Sequence, residues 1–164
     1  MYHDDEIDDL EYNKKNRKRV FKCIVTFGDE TLCTGRYKGF QPKQAASKAC
    51  TQIFRTLANK DKHVHSKWTN YCNYYKNKQV PTKIIYALHE CTRGHKHKKY
   101  YYSGERIQLA NPVFIQINQS GGTVNLTHRF MNNIKVLTDH DTYPEYKLLS
   151  NYDVKEENED ELEI

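Results

Sequence analysis

Two close histidine pairs stand out, His63-Val64-His65 and His95-Lys96-His97, the second with Cys91 nearby. Histidine and cysteine are metal ligands, but lysines surround both pairs and penalise a dication. Solvated histidines are expected, able once protonated to add to phosphate attraction. The five cysteines, Cys23, Cys33, Cys50, Cys72 and Cys91, form no close pair of the kind a structural zinc site uses. Neither a metal site nor a cofactor is expected, and the thiols should be reduced in an intracellular protein. Catalysis is also disfavoured. Residues 12–138 hold five carboxylates: Asp29, Glu30, Asp61, Glu90 and Glu105. Two of them share one turn, which leaves little from which to build a two-carboxylate site. No nucleophile elbow, Walker-type loop or dinucleotide fingerprint is present, and the chain is not expected to be an enzyme.

The cations point to different chemistry. Residues 12–138 carry 24 Lys and Arg against those five acids, flanked by six acids in residues 1–11 and ten in residues 139–164. Such partition speaks about partners, and a polyanion would relieve the self-repulsion of the middle. The basic run begins at Lys14 to Arg19 (KKNRKR). Arg36, Lys38, Lys43, Lys48 and Arg55 form one candidate surface. Arg93, His95, Lys96, His97, Lys98 and Lys99 form another, followed at once by Tyr100-Tyr101-Tyr102 and then Arg106. Cations neutralise phosphates and release counterions, and rings can stack or wedge at base steps. In a strand Tyr101 faces opposite to Tyr100 and Tyr102, so a ring is expected outward. No helix carries a base-reading pattern, so recognition of backbone and shape is expected.

The elements that position these groups follow from periodicity. Val20 to Phe27 is β-branched and aromatic and reads as a strand. Gly28-Asp29-Glu30 is turn chemistry, and Thr31 to Tyr37 returns as a hairpin. Gly35 and Gly39 suggest a bulge or a close backbone approach. Pro42 suits the first helical position, and the helix runs to about Ala58. Its apolar stripe is Ala45, Ala46, Ala49, Cys50, Ile53, Phe54 and Leu57. Residues 59–81 form a polar insertion laid on the surface, with a short helix through Trp68, Tyr71, Tyr74 and Tyr75. Thr82 to Glu90 is a strand, 91–99 a basic hairpin tip, and Tyr100 to Tyr102 its return. Short strands are expected at 106–109, 112–117, 124–126 and 130–137, with a turn at 118–123. Residues 1–13 and 139–164 are expected to be acidic disordered tails around one basic domain, 14–138. No run of about twenty apolar residues predicts a membrane span, and no apolar signal segment opens the chain.

GRYKGFQPKQAASKA resembles the turn-and-helix signature of the archaeal non-histone chromosomal protein of methanogens, a small architectural DNA-binding protein. Gln41, Pro42, Lys43, Gln44, Ala45, Ala46, Lys48 and Ala49 fill that signature. Ile84 to Arg106 is similar to the family's strand, basic turn and aromatic strand, with Glu90, Gly94 and Lys96 in the turn. The resemblance covers roughly residues 20–137. It implies an α+β fold, an antiparallel β pseudo-barrel with one main helix. It also implies monomeric, weakly sequence-specific binding that bends and compacts duplex DNA, with Gln41 and Gln44 joining the cations at the interface. The family's later loop carries a tryptophan and prolines near DNA. INQSGGTVNL stands there in this chain, which leaves any wedge to the tyrosines at 100–102 or to Trp68. The enlargement and the acidic tails suggest a chromatin-like protein of another host, a large DNA virus, in nucleoid, nucleus, or virus factory and virion. The tails could compete with DNA or contact other basic chromatin proteins. Alternatives are a double-stranded-RNA-binding or ribosome-associated module, or a basic domain docking on an acidic protein.

Overall fold

The computed structural model describes residues 17–63, 65–94, 96–138 and 143–152. The expected tail at 1–13, the candidate His95, and residues 139–142 and 153–164 lie outside the described residues. The fold is α+β: strands β1 (Arg19–Phe27), β2 (Glu30–Gly39), β3 (Lys83–Glu90), β4 (Lys99–Gln119) and β5 (Gly122–Val136) form one sheet. Its order is β2-β1-β3-β4-β5, and every neighbouring pair is antiparallel. Among the described residues the α-helices are α1 (Pro42–Ala58), short α2 (Thr69–Tyr74) and α3 (Glu145–Asn151). No helix among the described residues is long and apolar enough to cross a membrane.

Alternation along the strands sends Phe21, Cys23, Val25 and Phe27 of β1, with Ile84, Tyr86 and Leu88 of β3, to one face. There they meet the stripe Ala45, Ala46, Ala49, Cys50, Ile53, Phe54 and Leu57 of α1, all buried. Small residues let the helix approach closely. The Tyr86 hydroxyl donates to the Ala46 carbonyl at 2.7 Å. At Gly104 an added Cβ would stand 2.8 Å from Cys50 Sγ, so only glycine fits beneath the helix. The two glycines of β2 divide the roles expected of them. Gly35 lies at a register shift opposite Cys23 and Ile24, with φ +146. A Cβ at Gly39 would meet Gln44 Cβ at 2.9 Å, so Gly39 lets the strand turn tightly into the helix.

Three expectations need correction. Residues 59–81 are more than a surface excursion: Trp68, Tyr71 and Cys72 are buried in the main core, with Tyr71 edge-on to Phe27 at 5.7 Å between centroids. The short strands expected after 106 are one long hairpin. Asn111-Pro112 read as a break, but Pro112 falls in a bulge, Leu109 to Pro112, where no ladder N–H is required. The acidic tail expected from residue 139 is not structureless throughout. Helix α3 lays Leu149, fully buried, on Ile24 and Ala87 at the sheet's second face. The carboxylates set the composition, but Leu149 sets the packing, and burying one leucine contributes about 1.5–3 kcal/mol.

Candidate nucleic-acid interface

The register of β1 between β2 and β3 brings the two basic segments together. Val20 pairs with Lys38 and Lys22 with Arg36 on one side, and Phe21 pairs with Glu90 on the other. The loop after β3 folds back on β1: Cys91 N–H donates to the Val20 carbonyl and Val20 N–H to Thr92 Oγ1, both at 2.9 Å. Helix α1 starts at the same end, and Lys48 Nζ donates to the Lys38 carbonyl at 2.6 Å. Arg36, Lys38, Lys43 and Lys48 therefore share one pole of the molecule with Arg93, Lys96 and Lys98, and all seven are exposed. Arg17 and Lys18 lie there too. Among the described residues the one carboxylate at this pole is Glu90, which is buried and paired with Arg19. Asp29 and Glu30 sit at the far β1–β2 turn, and Glu105 lies opposite Lys83 at the far end of β3.

A second basic group lines a cleft of about 760 Å³ between α1 and the β4–β5 hairpin. Arg55, Arg106, His128 and Arg129 stand around it, above Leu109, Val113, Ile115, Phe130 and Met131. Asn132 Nδ2 donates to Thr51 Oγ1 at 2.7 Å and to the Ser47 carbonyl at 3.1 Å, which ties β5 to the helix. The Arg106 guanidinium lies 3.9 Å from the Phe130 ring centre. Burial, and then the neighbouring charge of Arg55, push the Arg106 pKa down. A cation held near a like charge in a half-buried site favours an incoming anion.

Several expected contact residues have other work. Gln44 Oε1 accepts from Phe40 N–H at 2.7 Å and Gln41 N–H at 3.4 Å, which closes the start of α1 as a capping box. Gln41 is the N-cap itself. Lys99 Nζ donates to the carbonyls of Ser150 at 2.8 Å and Tyr152 at 3.3 Å, capping α3. Tyr101 is not outward: α3 covers it, with Tyr146 edge-on at 4.9 Å. Tyr102 and Trp68 are buried, so neither can serve as a wedge. The Tyr100 hydroxyl accepts from Arg19. Sequence reasoning missed His128 and Arg129, although they are the basic pair of the closing strand. It also missed the exposure of Phe114, 77 % accessible on the hairpin.

The chain is similar to a viral protein. Over 119 residues it is 36% identical to an uncharacterized protein of Acanthamoeba polyphaga mimivirus. The match covers 72% of this chain and spans 37% of the length of that relative. No protein-family model matches the chain, and no solved structure matches it.

Proposed function

We propose that the chain binds duplex DNA through its phosphates, with little sequence preference, and bends and compacts it as an architectural, chromatin-like protein. The observation that carries this reading is the meeting of Arg36, Lys38, Lys43 and Lys48 with Arg93, Lys96 and Lys98 at one pole, whose carboxylate is already paired. Seven exposed cations, whose one neighbouring carboxylate among the described residues is already paired, form an electrostatic footprint for a polyanion. Alternation puts Arg36 and Lys38 on the α3 side of edge strand β2, while Lys43 and Lys48 stand on α1 over the other face. Cations on both sides of one end favour a duplex that curves around it. The elastic cost of such a curve, on the order of 1–6 kcal/mol, is offset by the added phosphate contacts. The resemblance of the α1 segment to the methanogen chromosomal proteins supports DNA over RNA, and the viral relative agrees with a viral source.

The test is a side-by-side titration of DNA and RNA duplexes of one sequence between 50 and 200 mM salt, with end-to-end energy transfer reporting the bend. The expected result is tighter, bent binding of DNA. The triple variant Lys38→Ala, Lys43→Ala, Lys96→Ala should lower the log–log salt slope by about 0.9 for each lost phosphate contact. Equal, weak binding to both duplexes with no bend would undo the reading.

A further inference from the structure

Beyond Glu105 the β4–β5 hairpin leaves β3 and continues as an arm, out to the turn at Ser120 and Gly121. One face of the arm's base is turned to α1. Gly104 and Ile134 are paired beneath the helix, and alternation carries their face on through Arg106 and Asn132 to Phe130 and His128. With Thr51 and Arg55 of α1 these side chains enclose the cleft of about 760 Å³. Its floor is apolar and open: Phe130 is 41% exposed and Met131 49%. Arg106 lies over the Phe130 ring at 3.9 Å. Asn132, bonded to Thr51 Oγ1 at 2.7 Å and to Ser47 Oγ at 3.3 Å, makes a polar wall beside it. Among the described residues no carboxylate lines the cleft. The cleft also continues from the basic pole. Lys48 and Arg55 are both exposed and stand seven residues apart on α1, about two turns or about 10 Å along one side of the helix.

We propose that the cleft takes unpaired nucleotides of a strand that runs along α1 from a duplex at the pole, with phosphates on Arg55 and Arg106 and bases on the floor around Phe130. The inference deepens the nucleic-acid reading by naming the substrate as a duplex with a single-stranded extension, and it rests on that reading for the duplex part. Three observations choose this occupant. Cations with no carboxylate among them select an anion. An open ring beneath those cations selects an anion that carries a flat apolar body, which every base supplies. The polar wall of Ser47, Thr51 and Asn132 suits the hydrogen-bonding edge of such a base. A paired base keeps its faces inside the duplex stack and cannot reach the floor. Acidic side chains of a protein would match the cations but would set carboxylates, not flat rings, over Phe130. A stacked strand advances about 3.4 Å per nucleotide, so about three nucleotides span the distance from Lys48 to Arg55.

The experiment is fluorescence anisotropy on the full chain with three labelled DNA probes: a blunt duplex, the same duplex with a single-stranded extension of about ten nucleotides, and the extension strand alone. Wild type should bind the extended duplex about tenfold more tightly than the blunt one, the worth of stacking about one base. Phe130→Ala removes no charge; it should abolish that advantage and leave blunt-duplex affinity unchanged. Arg55→Gln, on the exposed side of α1, should also abolish it, with an unchanged circular dichroism spectrum. The pole variant Lys38→Ala, Lys43→Ala should lose blunt-duplex affinity and still bind the extension strand. A wild-type chain that ignores the blunt duplex but holds the strand, and loses it in Phe130→Ala, would therefore sink the pole reading and support the cleft. Equal affinity of wild type for blunt and extended duplexes overturns the proposal, as does an advantage that survives both cleft substitutions. Binding of a glutamate-rich peptide as tight as that of the strand, lost in Arg55→Gln but kept in Phe130→Ala, would also overturn it, by assigning the cleft to an acidic protein.

Discussion

Arg19 and Glu90, 71 positions apart in sequence, lie side by side, with Nε donating to Oε1 at 2.8 Å and Nη2 to Oε2 at 2.5 Å. The pair crosses from β1 to β3, beside the bonds by which Cys91 and Thr92 meet Val20 at the start of β1. It also withholds from the other cations of the pole the carboxylate that would neutralise them. The Glu90 hydrogen bond raises the Arg19 pKa further above its ordinary value, so the pair stays charged. Replacing Arg19 by Met removes the ion-pair partner of a carboxylate whose side chain is 2% exposed. The expected loss is about 3 kcal/mol in urea unfolding. A loss under about 1 kcal/mol would show that Glu90 is held by its other contacts.

Gln44 and Lys43 are neighbours with opposite duties, one closing the helix start and the other exposed at the pole. Gln44→Ala should cost about 1 kcal/mol of stability and leave duplex affinity unchanged. Lys43→Ala should do the reverse. Thermal melts and binding isotherms on both variants check this, and a Gln44→Ala protein of normal stability but weakened binding would refute the capping assignment.

Truncation separates the acidic tail from the packed helix. Cutting after Tyr152 removes seven carboxylates and Lys155 and keeps α3. Duplex binding should tighten at low salt, with the gain fading as salt rises. Cutting after Thr138 also removes Leu149 and uncovers Ile24 and Ala87, at a cost of about 2–5 kcal/mol. Unchanged low-salt affinity after the shorter cut would count against competition between the tail and DNA.

Burial pushes the Cys50 thiol up to about 12, against about 8.5 in an unfolded chain. The folded state thus keeps its proton where the unfolded state has lost it. That contribution is full below about pH 8.5 and is lost as pH rises towards 12. Urea midpoints should fall between pH 8 and pH 10.5, and less steeply in Cys50→Ala. The native thiol should resist alkylation at pH 8. A midpoint independent of pH over this range would contradict the burial argument.

Local pattern alone determined α1, because Pro42 and the 3.6-residue spacing of Ala45, Ala46, Ala49, Cys50, Ile53, Phe54 and Leu57 agree with each other. It likewise determined the first hairpin and β3, where β-branched runs end in turn residues. The cationic character of the middle is composition and needed no fold. What the tertiary structure decided was neighbourhood. Strand register, which no single segment encodes, set Lys38 beside the loop at 91–98. Helix α3, hidden by the charges around it, turned Tyr101 from a candidate contact into a packed ring and Lys99 into its cap. The arm was illegible because Asn111-Pro112 has the chemistry of a break, and only a partner strand shows that a bulge absorbs it. Periodicity reports which face of a segment is apolar. Which segments meet, and so which cations stay unpaired, depends on long-range pairing that sums over the whole chain.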